Sequence, residues 1–457
     1  MTAAHRSPSG DGVPAAAWAA RDAAVVWHGF TQMSTYLENR PVIVDRAEGR
    51  ELIDADGNRY LDAISSLWVT TLGHHVPELD DAIRDQLERV AHSTLLGNGN
   101  QTVIELAEAL APRVPVRQPH FLFASDGAAG VEQALKIAFQ YWANRAVVAG
   151  EDPRAITRTQ YLALGGAYHG DTMGSISLGS GGFGTDVFDP LRFPVVRTPG
   201  YDHPRWAEAA IHALDTNGAH LAALVIEPLV QGAAGMQVAE PEDVQRVVEH
   251  AQGLGVLVVA DEVATGFGRT GTLFASEQCG IHPDLLVIGK GITGGYLPLC
   301  ATVASHHVYE AFLGPDLSEL TFYHGHSYSG NALACAVARR HLELIDQWDV
   351  LANVRARADE LGRALDSHLA GRPEVRSIRR RGLMVGIELA VPRDGVRWGR
   401  RVCAAAVARG VLLRPLGDVV VLMPMLSTTS DEVTRIVEVL ADAITEVAAL
   451  DAAGRSD

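Results

Sequence analysis

The chain has 457 residues, 47% of them hydrophobic and 20% charged, the composition of an ordinary globular protein long enough for two domains. Its formal charge of −17 argues against nucleic acid or a membrane surface as partner, since both need a cationic face. Cys279, Cys300, Cys335 and Cys403 form no CxxC pair, which disfavours a disulfide framework or zinc knuckle and fits a reducing cytoplasm. No apolar run reaches the roughly 18 residues of a membrane span.

Residues 1–20 lack a continuous apolar stretch and read as a disordered tail. Residues 21–75 read as the first part of a small domain, with short strands around the turn "DADGN" between 41 and 69. A helix is predicted over 76–92, with Leu79, Ile83, Leu87 and Val90 on one face. Residues 76–345 read as a large domain. Here the apolar runs "HFLFAS", "TQYLAL", "LAALVIEP", "GVLVVADE" and "DLLVIGK" alternate with helical stretches such as "GVEQALKIAFQYWANRA". That pattern predicts an α/β fold, with a mostly parallel sheet flanked by helices. Residues 346–457 read as the rest of the small domain, an α+β module with helices over 350–370 and from Ser430. The run "IRRRG" at 378–382 reads as a solvated face.

Ligands of open α/β sheets bind beyond the carboxyl ends of the strands. That rule selects Ser125–Gly127, Glu227, Asp261–Glu262 and Lys290. No GxGxxG or Walker A sequence accompanies them, so a dinucleotide or nucleoside triphosphate has little support. Lys290 is one of two lysines, with Lys136, against thirty-six arginines. It reads either as a surface lysine or as an amine kept because arginine cannot form an imine. The second reading points to pyridoxal phosphate, the commonest aldehyde partner. Asp261, ending an apolar strand, is then a candidate partner for a pyridine nitrogen, though it also suits a structural cap. "SDGAAG" at 125–130 opens a helix able to hold a phosphate or simply to cap itself. Tyr168, in "GGAYHGDT", is a candidate to stack on a ring.

The segment "VVADEVATGFGRTGTLFASEQCGIHPDLLVIGKGITGGYLP" resembles the pyridoxal phosphate signature of class III aminotransferases, with Asp261 and Lys290 at the family's spacing of 29 residues. "AFQYW", "AYHGDTMGSISLGS", "IEPLVQGAAGM", "ATGFGRTG" and "GKGITGGYLP" look like the 7,8-diaminopelargonic acid branch of that family, which serves biotin synthesis, and the similarity runs from residue 27 to 425. The resemblance implies fold type I and a homodimer with shared active sites. It implies that Lys290 holds the cofactor and shuttles a proton, with Asp261 at the ring nitrogen. Val263 and Tyr168 would cover the two ring faces, and Gly127 and Ala128 would give N–H groups to the phosphate. Ser327 would reach the phosphate in the neighbouring subunit, Glu227 would brace the polar network, and Arg414 would clamp a substrate carboxylate. Phe30, Leu67, Trp68, Tyr168 and Gly325 complete the implied substrate set.

Asp126 departs from the family, which often has Ser there, and is expected to turn away and cap its helix. Leu67, Val421 and Phe30 replace a Trp and two Tyr of members that use S-adenosylmethionine, and "FYHGHSYSGN" resembles members that use lysine. L-lysine is therefore the expected donor to 8-amino-7-oxononanoate, ahead of S-adenosylmethionine. The rival within the family is a broad ω-amino acid or diamine:pyruvate aminotransferase. A remote rival is a serine hydrolase using Ser327 in "GHSYSG", a pattern that fails at Ser329, where a nucleophile elbow requires Gly. The histidine pairs 74–75, 306–307 and 324/326 lack the companions of a metal site.

Overall fold

The structure, a computed structural model, describes residues 13–180, 184–393 and 395–454. Its centre is a seven-stranded sheet. Across that sheet run His120–Ala124, Cys300–Ala304, Leu285–Ile288, Leu257–Asp261, Leu221–Ile226, Gln160–Leu164 and Val196–Thr198. Cys300–Ala304 is antiparallel to both neighbours, and the other pairings are parallel. Every residue of Leu221–Ile226 is buried because both faces are covered. Ala223 and Val225 pack with the helix Gly127–Val148. Leu224 and Ile226, pointing the other way, pack with helices Trp206–Asn217 and Pro241–Gly253.

The two ends of the chain build the smaller unit together. Strands Val44–Glu48, Glu51–Asp54 and Arg59–Asp62 form an antiparallel meander, and Val411–Leu412 adds in parallel to its last strand. A second sheet, antiparallel throughout, holds Val375–Arg381, Met384–Leu389, Val419–Leu422 and Arg414–Leu416. Helices Val350–Leu369, Trp398–Val407 and Ser430–Ala452 share an apolar core with it. Thr429 and Glu432 cap the last helix reciprocally. In the arginine run, Arg379 pairs with Glu388 and Arg380 with Asp366.

Two expectations are corrected. Of the tail expected over 1–20, residues 1–12 lie outside the described residues, but Ala15–Val25 is a helix. Its alanines favour that state, Pro14 precedes its first turn, and the Ala15 N–H donates to Asp56 Oδ1 at 2.7 Å. The helix expected over 76–92 spans Pro77–Leu87. Leu79 is buried and Ile83 packs on the core, whereas Leu87, the last helical residue, and Val90, beyond the helix, are exposed. All four cysteines are free and buried. Among the described residues no helix is long and apolar enough to cross a membrane.

Candidate active site

The carboxyl ends of the parallel strands open into a cavity of about 840 Å³. The 257–261 strand ends in Asp261, and the next residue points elsewhere. Asp261 faces the cavity. Glu262 is fully buried behind the strand, where its carboxylate accepts from the N–H groups of Ala275 (2.6 Å) and Ser276 (2.8 Å) and from the Thr265 hydroxyl (3.1 Å). Burial raises its pKa to about 7, against the pull of those donors. Of the two strand-end carboxylates only Asp261 is available to a ligand.

Lys290 begins the turn after the Leu285–Ile288 strand with φ 43°, a left-handed conformation that a side chain rarely adopts. Its amine lies 5.2 Å from the centre of the Trp68 ring. Burial pushes the amine below the ordinary lysine range, Asp261 and Glu227 pull it back, and Arg269 presses it lower. Trp68 is itself set by a tight turn in which Ser65, Ser66 and Trp68 all have positive φ. Asp62 Oδ2 accepts from the Ser66 N–H at 2.7 Å and the Ser65 hydroxyl donates to the Met423 carbonyl at 2.7 Å.

The helix Gly127–Val148 starts at the same cavity. Asp126 turns back as expected, its Oδ1 accepting from the Ala129 N–H at 2.9 Å. Its carbonyl takes the Gly130 N–H at 3.0 Å. The first-turn N–H groups of Gly127 and Ala128 are thereby left for an anion. A Cβ on Gly127 would lie 2.7 Å from Val263 Cγ1, so backbone and Val263 form one continuous wall. Tyr168 stands in the lining too, its hydroxyl donating to Asp171 Oδ2 at 2.8 Å. Burial first, then Asp171, holds that phenol protonated far above its usual range.

His169, not among the residues expected in the site, completes the polar floor. His169 Nδ1 donates to Asp261 Oδ2 at 2.7 Å, while the Val263 N–H donates to Asp261 Oδ1 at 3.0 Å. Burial opposes a charge on His169, but Asp261 outweighs it and raises the imidazole pKa above the ordinary value. Glu227, also buried, accepts from the N–H groups of Tyr168 (3.1 Å) and Gly232 (3.3 Å). Burial lifts its pKa to about 7, with His169 lowering and Asp261 raising it. Only the position of His169 beside Tyr168 in "AYHGDT" could have drawn attention to it.

Arg414 enters from the outer sheet and, with Phe30, Leu67 and Trp68, lines the same cavity. Gly325 and Ser327 do not. Both are exposed, in a segment outside the cavity, where the Ser327 carbonyl accepts from His92 Nε2 at 2.8 Å. Gly325, expected among the substrate residues, cannot touch a ligand in this subunit's own cavity. His326 Nδ1 accepts from the Tyr328 N–H, so Nε2 carries the proton and donates to Ser125 Oγ at 2.9 Å. That ring serves Ser125 rather than Ser327, contrary to the hydrolase reading. Val421 is buried in the same apolar cluster as Trp68 and pairs across the sheet with Arg414, but it does not itself line the cavity.

The family model for "Aminotransferase class-III" matches residues 33–444. The chain is a class III aminotransferase. An adenosylmethionine-8-amino-7-oxononanoate aminotransferase of Nitratidesulfovibrio vulgaris is 46% identical to it, over 93% of this chain and 81% of that one. The crystal structure of the Methanocaldococcus jannaschii enzyme of the same name superposes with a TM-score of 0.89 at 35% identity, covering 94% and 98% of the two chains. An amine transaminase from an uncultivated Pseudomonas species, in its PLP-bound form, gives a TM-score of 0.84 at 29% identity, covering 93% and 99%. The aminotransferase accordingly has fold type I and works with pyridoxal phosphate. Its cavity fits that cofactor: a buried carboxylate for the ring nitrogen, free helix N–H groups for the phosphate, and an amine at the far wall.

Proposed function

We propose that this aminotransferase converts 8-amino-7-oxononanoate to 7,8-diaminononanoate in biotin synthesis, with L-lysine as amino donor. The observation that carries the reading is that Arg414 and Lys290 line one largely apolar cavity. A keto acid with a long aliphatic chain can set its carboxylate on the guanidinium, its methylenes against Leu67 and Phe30, and its carbonyl near the amine. The names of the relatives from Nitratidesulfovibrio vulgaris and Methanocaldococcus jannaschii support the acceptor.

Pyridoxal phosphate, when bound, supplies the carbonyl that captures the donor's amine and the ring that stores its electrons. The protein does the rest. Asp261 neutralises a protonated ring nitrogen, an attraction worth roughly 4 kcal/mol at about 4 Å and an effective dielectric near 20, and His169 fixes its rotamer. Gly127 and Ala128 donate to the phosphate, and Val263 and Tyr168 flank the ring. Lys290 Nζ would anchor the cofactor between turnovers and, when free, would take and return the substrate Cα proton. Glu227 braces the Tyr168 backbone. Donor and acceptor occupy the cavity in turn, each with a carboxylate for Arg414.

We further propose a cytoplasmic homodimer in which Ser327 of each copy serves the phosphate of the other. Support comes from the exposure of Trp27, Phe30, Leu96, Tyr323 and Tyr328, more large apolar surface than a monomer ordinarily leaves in water. Light scattering that gives the mass of a single chain would refute it.

S-adenosylmethionine as donor is favoured by the relatives' names. The deciding assay supplies 8-amino-7-oxononanoate with L-lysine, S-adenosylmethionine or neither and follows the diamine. Turnover with lysine is expected. Turnover with S-adenosylmethionine alone overturns the donor, and turnover only when pyruvate replaces the keto acid overturns the acceptor.

A further inference from the structure

Arg269 is 2% exposed, in the middle of the protein. Its guanidinium donates to the Pro424 carbonyl at 2.6 Å and the Thr70 carbonyl at 2.8 Å, and its Nε is buried without a partner. Among the described residues it makes no ion pair. A buried cation bonded only to neutral carbonyls is costly, so its place calls for a physical reason. Burial lowers its pKa to about 10, with Asp62 pulling the other way, so it stays charged at neutral pH.

The surroundings supply the reason. A Cβ on Gly291, the residue after Lys290, would lie 3.2 Å from both Phe267 and Thr71, and one on Gly295 would lie 2.7 Å from Thr70 Cα. The Lys290 turn is therefore wedged between the loop that carries Arg269 and the Thr70–Thr71 segment that Arg269 holds. Thr70 follows the strained turn that presents Trp68 to the lysine amine. The charges facing Lys290 are Asp261 and Glu227 on the cavity side, with His169 behind Asp261. Arg269 also acts on the amine, and His341, bonded to Thr71, packs against Gly294 of the same turn. Burial above all drives the His341 pKa down to about 4, and the ring bonds to the Thr71 hydroxyl, so Arg269 is the charged member of that pair.

We propose that Arg269 is a positioning residue of the transamination: it ties the Trp68 turn to the loop behind Lys290 and sets an unpaired positive charge there that favours the free amine. The proposal rests on Lys290 as the working amine, a reading that the donor assay tests; the titration below reads the lysine itself and fails independently.

The chain has only two lysines, and Lys136 is bonded to His324 Nδ1 outside the cavity. K136R leaves one. In that background the full-length protein is labelled with ¹³C-lysine, freed of cofactor, and the Lys290 Cε resonance is titrated with pH for Arg269, R269K and R269Q. R269Q, which keeps an amide donor but loses the charge, is expected to move the midpoint up by about one pH unit or more. R269K keeps the charge and loses the two-pronged hold, and its midpoint is expected to stay within about 0.3 unit of the parent. As a second readout, the pH midpoint of the absorbance band of the cofactor-loaded enzyme moves in the same pattern. An unchanged R269Q midpoint overturns the proposal, as do equal shifts in both variants, which mark a purely structural arginine. If R269Q does not fold, R269M takes its place under the same criterion: an unchanged midpoint overturns the proposal.

Discussion

Glu262 offers a test of how the strand-end carboxylates are divided between ligand and fold. Its pKa rises from 4.5 to about 7 on folding, so between those values the native state holds a proton that the unfolded chain has released. Stability contributed by this group is full below pH 4.5, falls as pH rises through 7, and is then gone. At about 1.4 kcal/mol per pH unit, the loss is about 3 kcal/mol, or about 3 °C in unfolding midpoint for a chain of this length. E262Q removes the titration. It also turns an amide N–H₂ toward the Ala275 or Ser276 N–H, a constant penalty of about 1–3 kcal/mol. Parent and variant are compared by thermal unfolding from pH 5 to 8. The parent is more stable at pH 5 and should lose about 3 kcal/mol of that advantage by pH 8. A difference constant across the range would refute the buried, proton-holding role of Glu262 and with it the claim that only Asp261 serves the cavity.

Three further outcomes follow from the geometry. G127A places a methyl 2.7 Å from Val263 Cγ1 and should weaken pyridoxal phosphate binding, measured by fluorescence titration, about tenfold, at a cost of about 1–3 kcal/mol; V263A in the same chain should restore most of it. D261N keeps the shape of the floor but removes its charge, so kcat should fall by about 10³, matching roughly 4 kcal/mol of lost attraction. R414M should raise KM for the keto acid by about tenfold or more, with cofactor absorbance unaltered.

The parallel strands and the groups at their ends were legible in the sequence because each apolar run is long, continuous and followed by polar residues. Asp126 was legible too, since an anion beside a phosphate site has one low-energy use, as a cap. His169 was not. Its partner Asp261 lies 92 residues away, and an adjacent pair such as Tyr168 and His169 does not declare which side chain faces inward. Asp261 was picked out of the Asp261–Glu262 pair by its place at the strand end and by resemblance, and the alternation of the strand sends the two to opposite sides. Leu87 and Val90 obeyed the helical period without belonging to the core, because periodicity cannot say where a helix leaves its support. Val421 was read as a position near the cavity by its distance from Arg414, and the sheet sets it directly opposite Arg414, in the same apolar cluster as Trp68.

The way Trp68 is held has a consequence for how the protein comes into being. The turn around it is fastened by bonds to the carbonyls of Met423 and Pro424, and its strand is completed by Val411–Leu412. During synthesis the central sheet has all its strands once residue 304 has emerged, so Lys290 and Asp261 are in place early. The wall opposite them must wait for more than a hundred further residues. A ribosome that stops short of Met423 therefore leaves the Trp68 turn without the carbonyls that fasten it. The wall around Trp68 is fastened only when residues 411–424 have been made.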